Sequence, residues 1–332
     1  MERRVSMGDV AAVAGVSAQT VSRVVNDSPR VDPATRARVE DAMVQLGYQV
    51  NRTARALRTG RFHTIGVVVA TLATVGNSRM LEAVAGSAAR RGFALTVVTL
   101  AGREGVADAF AQLREQGVDG AIVLNEATAI AGDAAPPQGL RVVAVDSPRP
   151  AQTAALTFAT VQSDHYGGAA AATSHLLGRG HETVWHLAGP ETSFAAAERE
   201  RGWRDTLVAV GAAVPPLVRG DWSAASGFAA GVELAARAEA PEVTAVFAAN
   251  DQMALGLLRA LAESGRVVGE DVHVVGYDDV ADAAEFRPPL TTVRQDFDAL
   301  GEAAVTALVA AISNTPATHT VVPTALVPRA SA

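Results

Sequence analysis

From residue 64 onward the chain alternates two hydrophobic patterns. Short runs rich in Val, Ile, Leu and Ala occupy 65–69, 95–98, 121–124, 142–145, 184–187, 245–248 and 272–276, and each reads as a buried strand. Between them, stretches near 78–91, 105–116, 165–178, 195–209, 224–238 and 251–264 repeat apolar residues at helical spacing and read as amphipathic helices. Strict alternation of this kind predicts parallel sheets covered on both faces. Thirteen such elements are too many for one compact sheet, so the expectation is an α/β core of two doubly wound parallel-sheet lobes.

The first 47 residues carry a helical pattern instead. Ser6 can cap a helix running to Ala14, with Val10, Val13 and Ala14 on one face and Gly15 beyond its end. Ser17 can cap a second helix, 18–26, whose Val21, Val24 and Val25 face inward. A third, opened by Asp32 and Pro33 and closed by Leu46 and Gly47, offers Val39, Ala42, Met43 and Leu46 to the other two. Two short helices joined by a tight glycine-containing turn make a helix-turn-helix. In that motif the start of the second helix enters the major groove, so Ala18, Gln19 and Arg23 are expected to face bases. Gln can pair with an adenine edge and Arg with a guanine edge, while Thr20 and Ser22 suit phosphate. Spacing alone leaves a purely structural helical domain open.

Charge placement changes the balance between those readings. The chain is acidic overall, at −7, yet residues 1–62 hold ten arginines against six carboxylates, which leaves the remaining 270 residues at −11. Such asymmetry is expected when one module meets a polyanion and the other does not.

In the core, the residues that follow strands matter most, because open parallel sheets bind ligands at the carboxyl ends of their strands and a cleft between lobes is the natural site. Asp146, the Asn250–Asp251 pair and Asp278 each follow a predicted strand, while Arg199, Trp222 and Gln295 lie on other connections or helix starts. Planar, multivalent Asp, Asn and Arg side chains suit sugar hydroxyls that both donate and accept, and an indole face suits the apolar side of a sugar ring. Each residue alone could be a cap or a turn; it is their joint placement that predicts a ligand site.

Composition removes several other classes. The 332-residue chain has no cysteine, which excludes disulfides, thiolate metal sites and a cysteine nucleophile. Its start shows no secretory signal, and no apolar run is long enough to cross a membrane, so a soluble, cytoplasmic protein is expected. There is no phosphate-binding loop, dinucleotide fingerprint, nucleophile elbow or zinc-protease motif, and no cofactor is expected. His175 and His181 are six apart, which matches neither helical ligand spacing, and no metal site is expected.

Three segments carry a family resemblance. The run 9–26, DVAAVAGVSAQTVSRVVN, then 35–40, TRARVE, then 46–52, LGYQVNR, resembles the headpiece of LacI/GalR family repressors, and the resemblance extends from about residue 5 to 329. It implies that Ser17 and Asn26 join Ala18, Gln19, Thr20, Ser22 and Arg23 in DNA binding. It also implies a hinge helix around 51–58, in which Leu57 wedges between base steps in the minor groove beside Asn51, Arg55 and Arg58. A tyrosine stands in place of Ala18 in a well-characterised family member, so a shared docking mode is expected but not an identical operator.

In the core the motifs are GDWSAASGF at 220–228, ANDQMALG at 249–256, VGYDD at 275–279 and PLTTVRQDF at 289–297. Through them the resemblance implies that Asp146, Arg199, Asn250 and Asp278 bond inducer hydroxyls, and that Trp222, Gln295 and Phe297 line the cleft. It further implies a first-lobe wall around Thr74, Gly76, Asn77 and Met80, more polar here than in the family's aliphatic examples. The implied effector is a galactoside or related disaccharide, and the implied partners are a near-palindromic operator and a second copy of the chain. No heptad-repeat tail follows Arg329, so a dimer is expected rather than a tetramer.

The domain expectation is then a headpiece at 1–50, a hinge helix or linker at 51–62 and a core at 63–329. Within that core, lobe 1 covers about 63–161 and 295–322, and lobe 2 about 162–294 and 323–329. The alternatives are a purine-responsive member of the same family, a transport-type binding protein, and a glycosidase using Asp146 and Asp278 as paired carboxylates. The last is disfavoured because Arg199 in the same cleft should hold a carboxylate ionised.

Overall fold

The computed structural model describes residues 5–26, 28–48, 61–100, 105–125, 127–128, 139–147, 158–237 and 242–332. The chain divides into two compact units, 1–62 and 63–332. The expected hinge positions Asn51, Arg55, Leu57 and Arg58 lie outside the described residues.

The first unit is a bundle of α1 (Met7–Ala14), α2 (Ala18–Val25) and α3 (Pro33–Gln45). Each helix start is capped by a short polar side chain. Ser6 Oγ accepts from Asp9 N while the Asp9 carboxylate accepts from Ser6 N at 2.8 Å, Ser17 caps Thr20 N, and Asp32 caps Thr35 N at 2.9 Å. Gly15 takes φ 65° to end α1, a conformation that favours glycine. The core is small and aliphatic, made of Val10, Ala11, Ala14, Val21, Val24, Val39 and Ala42. Val13, expected inside, is 48% exposed, and Ala11 takes the inward position. The partner helices approach the Val10–Ala14 edge from the Ala11 side, which periodicity within eight residues cannot specify.

The second unit contains two six-stranded sheets. Lobe 1 orders its strands 319–322, 159–163, 141–145, 120–124, 64–69, 94–99, and lobe 2 orders them 324–327, 291–295, 273–278, 245–248, 185–188, 218–219. In chain order the lobe 1 elements are β1 (Thr64–Val69), α4 (Val75–Arg90), β2 (Ala94–Thr99), α5 (Gly105–Glu115), β3 (Gly120–Leu124), β4 (Arg141–Val145) and β5 (Ala159–Ser163). Lobe 2 follows with α6 (His165–Gly178), β6 (Trp185–Ala188), α7 (Phe194–Ala209), β7 (Val218–Arg219), α8 (Ala224–Ala235), β8 (Ala245–Ala248), α9 (Asp251–Glu263), β9 (His273–Asp278) and β10 (Thr291–Gln295). The chain then returns to lobe 1 through α10 (Phe297–Ile312) and β11 (His319–Val322) before ending in lobe 2 with β12 (Thr324–Val327). Among the described residues all strand pairings are parallel except β10 with β12.

The chain therefore passes between lobes at 163–165, 295–297 and 322–324, and these crossings bond to one another. Asp164 N donates to Val322 O at 2.8 Å, and Ser163 Oγ donates to Gln295 Oε1 at 2.6 Å. Within lobe 2, α8 and α9 pack almost backbone to backbone: a Cβ on Gly256 would lie 1.9 Å from Ala224 O, so only glycine fits there. Among the described residues no helix is long and apolar enough to cross a membrane.

Candidate ligand cavity and nucleic-acid-binding face

On the first unit, α2 turns Val21 and Val24 into the core and leaves Ala18, Gln19 and Arg23 exposed, as a base-reading face requires. Ser17 Oγ and Thr20 Oγ1 lie 3.0 Å apart at the helix start, so both hydroxyls are engaged in the cap. Asn26 closes the other end, its side-chain amide bonding back to Ser22 O. Ser22 and Asn26 are half-buried beside it.

In the second unit a cavity opens at the strand carboxyl ends, where open parallel sheets bind ligands. Its lobe 1 wall is Thr74, Gly76, Asn77, Asn125 and Asp146; its lobe 2 wall is Ser193, Ala195, Arg199, Trp222, Asn250 and Asp278; Gln295 and Phe297 come from a crossing. The core residues singled out from sequence are brought here except Asp251, which is fully buried, and Met80. That side chain is 1% exposed and packs in the lobe 1 core with Ile65, Val67 and Val84. It sits one turn below Asn77 on α4, and this points it at the sheet rather than over its edge.

Local chain geometry aims these side chains. Asn125, Asp146, Trp222 and Asp278 all adopt positive φ, at 47°, 50°, 76° and 113°. A non-glycine residue in that region costs about 1–3 kcal/mol, and such strain gathers where function fixes a side chain's direction. Asn250 caps α9 by accepting from Met253 N at 2.9 Å, and its amide donates to Trp222 O at 3.1 Å, so one residue ends a strand, starts a helix and holds the indole loop. Behind the indole lies Gly189, where a Cβ would come within 2.2 Å of the Trp222 ring.

The charged groups are buried and interlocked. Arg199 is 4% exposed, lies 3.7 Å from the Tyr277 ring centroid, donates to Ala249 O and stands 3.7 Å from Asp278 Oδ1. Gln295 Nε2 donates to Asp278 at 2.7 Å. Asp146 Oδ1 accepts from Ser163 N at 3.1 Å and lies 2.9 Å from His165 Nε2. Burial pushes the Asp278 carboxyl above its ordinary range, and the nearby Arg199 offsets this only in part. Arg199 thus favours the charged form of this carboxylate, as expected, while desolvation opposes it more strongly. Below the floor, burial together with Asp278 raises Asp251 to about 8.

Three buried polar atoms of the lining, Arg199 Nε, Trp222 Nε1 and Asn125 Oδ1, have no protein partner. Two are donors and one an acceptor. The wall thus presents unmet hydrogen-bonding capacity of both kinds around an indole face, suited to reversible binding of a polar, ring-shaped molecule. Among the described residues no group of three or more His, Asp or Glu could hold a metal ion.

Sequence reasoning missed Asn125, Ser193, Ala195 and His165. Asn125 follows β3 just as Asp146 follows β4, so the strand-end rule reaches it. Nothing in the sequence marks His165.

A capped helix-turn-helix on one unit and a two-lobed, hinge-centred cavity on the other define a ligand-responsive DNA-binding regulator, and comparison with known proteins agrees. Residues 6–51 match the model for bacterial regulatory proteins of the lacI family, and residues 173–332 match that for the periplasmic binding protein-like domain. The chain is 39% identical to the lactose operon repressor of Escherichia coli K12, across 91% of this chain and 83% of that protein. It is likewise 39% identical to the HTH-type transcriptional regulator CelR of Thermobifida fusca, across 90% and 89%. The crystal structure of the Lac repressor dimer bound to operator and the anti-inducer ONPF superposes with a TM-score of 0.85 at 36% identity, covering 99% of both chains. The CelR–cellobiose complex does so with 0.73 at 35% identity, covering 99% of this chain and 100% of that one. The chain belongs to the LacI family of transcriptional regulators.

Proposed function

We propose that this regulator is a cytoplasmic dimeric repressor that binds a near-palindromic operator and is released from it by a sugar, a galactoside or a related disaccharide. The observation that carries the ligand class is the cavity wall: Asp146, Arg199, Asn250 and Asp278 offer donors and acceptors on planar groups, beside the Trp222 face. Purine recognition would call for aromatic stacking on a flat base; Trp222 and Phe297 are the aromatic rings of the wall, and its amide, carboxylate and guanidinium groups are those that suit hydroxyls. Thr74, Asn77 and Asn125 make the lobe 1 side polar as well, which supports a second hydroxylated ring over an apolar aglycone. The likeness to one relative solved with cellobiose and another named for lactose points the same way.

On DNA, Gln19 and Arg23 read base edges beside Ala18, while Ser17, Thr20, Ser22 and Asn26 support phosphate contacts. Leu57 serves as the minor-groove wedge, flanked by Asn51, Arg55 and Arg58. Sugar binding changes how the lobes meet, and the change separates the paired hinges.

Thermal-shift and calorimetric titration against lactose, cellobiose, galactose, glucose, ribose, guanine and hypoxanthine tests the ligand class. A disaccharide should give the largest stabilisation and a saturable heat. A purine response with no sugar response would overturn the reading.

A further inference from the structure

His165 is 1% exposed and belongs to none of the cavity's walls, yet it touches two of the residues that do. It is the first residue of α6, at the end of the first crossing between lobes. Its Nδ1 lies 3.3 Å from an Arg199 terminal nitrogen and its Nε2 lies 2.9 Å from Asp146 Oδ1. A guanidinium only donates hydrogen bonds. Nδ1 must therefore accept, and the imidazole proton sits on Nε2, facing the carboxylate. That second contact is close but off the hydrogen-bond axis, so Nε2–H faces the carboxylate as the positive end of the ring dipole.

Followed outward, the contacts close into a ring. Asp146 accepts from Ser163 N, Ser163 Oγ donates to Gln295, Gln295 donates to Asp278, Asp278 faces Arg199, and Arg199 returns to His165. Asp146 and Ser163 end lobe 1 strands, Arg199 and Asp278 belong to lobe 2, and Gln295 lies at another crossing. Among the described residues of this ring, His165 touches a cavity residue of each lobe at once, accepting from Arg199 through Nδ1 and facing the Asp146 carboxylate through Nε2.

We propose that His165, held as the Nε2–H tautomer, is a positioning residue that clamps Asp146 of one lobe to Arg199 of the other and so ties ligand occupancy to the arrangement of the lobes. It occupies one carboxylate oxygen of Asp146 and one terminal nitrogen of Arg199, and this fixes which atoms of each remain for ligand. The proposal rests on the sugar-binding reading for its ligand, but the tautomer itself does not.

The test uses the full-length protein labelled with 15N in histidine. The imidazole spectrum of the sugar-free protein, with the His165 signals identified by their loss in His165→Phe, should show a proton on Nε2 and a bare Nδ1. The opposite tautomer, or a ring protonated on both nitrogens at neutral pH, would overturn the proposal. Two variants then separate the arms. His165→Gln can place a donor near Asp146 but offers Arg199 nothing, and His165→Asn can offer Arg199 an acceptor but cannot reach Asp146. The hydrogen bond from Arg199 is one to a charged group and accounts for about a ten- to hundredfold effect, so affinity for lactose or cellobiose should fall by about that factor in His165→Gln, by less in His165→Asn, and most in His165→Phe. Equal losses in all three, tracking their melting temperatures, would mean a merely structural histidine and would overturn the clamp. If wild type binds neither sugar, the ligand reading falls, and the tautomer spectrum alone decides the assignment of His165.

Discussion

Gly189→Ala isolates the indole wall without touching a polar group. The new methyl would lie 2.2 Å from Trp222 Cη2 and 2.5 and 2.6 Å from the two ring carbons beside it. To restore ordinary contact, from 2.2 Å to at least 3.4 Å, the ring must move by about 1.2 Å, or the loop after β6 must yield by as much. Neither is free to do so. Trp222 is held by Asn250 through its carbonyl and sits at φ 76°, and Gly189 itself follows the buried strand β6. Overpacking of this kind costs about 1–3 kcal/mol, and the displaced ring narrows the cavity at the same time. Urea unfolding with tryptophan fluorescence measures the first effect, and calorimetric titration with lactose or cellobiose the second. The expected result is a lower urea midpoint at unchanged slope, altered native emission, and affinity lowered by about tenfold or more, as a misplaced wall predicts. A variant with wild-type stability, emission and affinity would refute the placement of Trp222 against Gly189.

Other perturbations test separate parts of the account. Asp251 titrates at 3.8 in a model peptide but at about 8 in the fold, so its proton stabilises the folded state fully below 3.8 and progressively less as pH rises through about 8. Asp251→Asn should remove that decline, and a urea midpoint still falling as steeply between pH 4 and 8 would contradict it. Met80→Ala should destabilise the second unit by about 2–5 kcal/mol through a core cavity, while the remaining folded protein keeps its sugar specificity. A changed rank order of sugars in the binding panel would return Met80 to the ligand wall. Gln19→Ala and Arg23→Ala should each weaken binding to a duplex selected from a random pool by about 1–3 kcal/mol and relax preference at one base pair. Uniform losses across all sequences would place these side chains on phosphate instead.

The parts of the fold legible in the sequence were those where burial and hydropathy coincide. Strands such as β1, β3 and β8 are nearly continuous apolar runs, and the capped helices of the headpiece announce their ends. The strands that build the hinge do not. β5 reads ATVQS and β10 reads TTVRQ, yet Thr160, Thr291 and Thr292 are all nearly inaccessible to solvent. Thr292 spends its hydroxyl on Asp251 and Thr291 on the Ala332 carbonyl, so polarity is buried by pairing that spacing cannot reveal. The cavity residues Asp146, Asn250 and Asp278 could be read because the strand-end rule fixes their place relative to the sheet. Met80 and Val13 were misplaced because helical periodicity defines a face only to within a residue, and the neighbouring elements choose its centre. His165 was invisible because its importance lies in two contacts, to Asp146 and Arg199, made by residues far apart in sequence.

The most direct test of the central claim, that one cavity in the core governs one DNA-binding unit, is thermodynamic reciprocity. Affinity for a selected operator duplex is measured with and without saturating disaccharide, and affinity for the disaccharide with and without saturating duplex. Linkage requires the two ratios to be equal, and both should show weakening of roughly 5- to 150-fold. Unchanged ratios, with sugar and DNA each bound normally, would contradict the account.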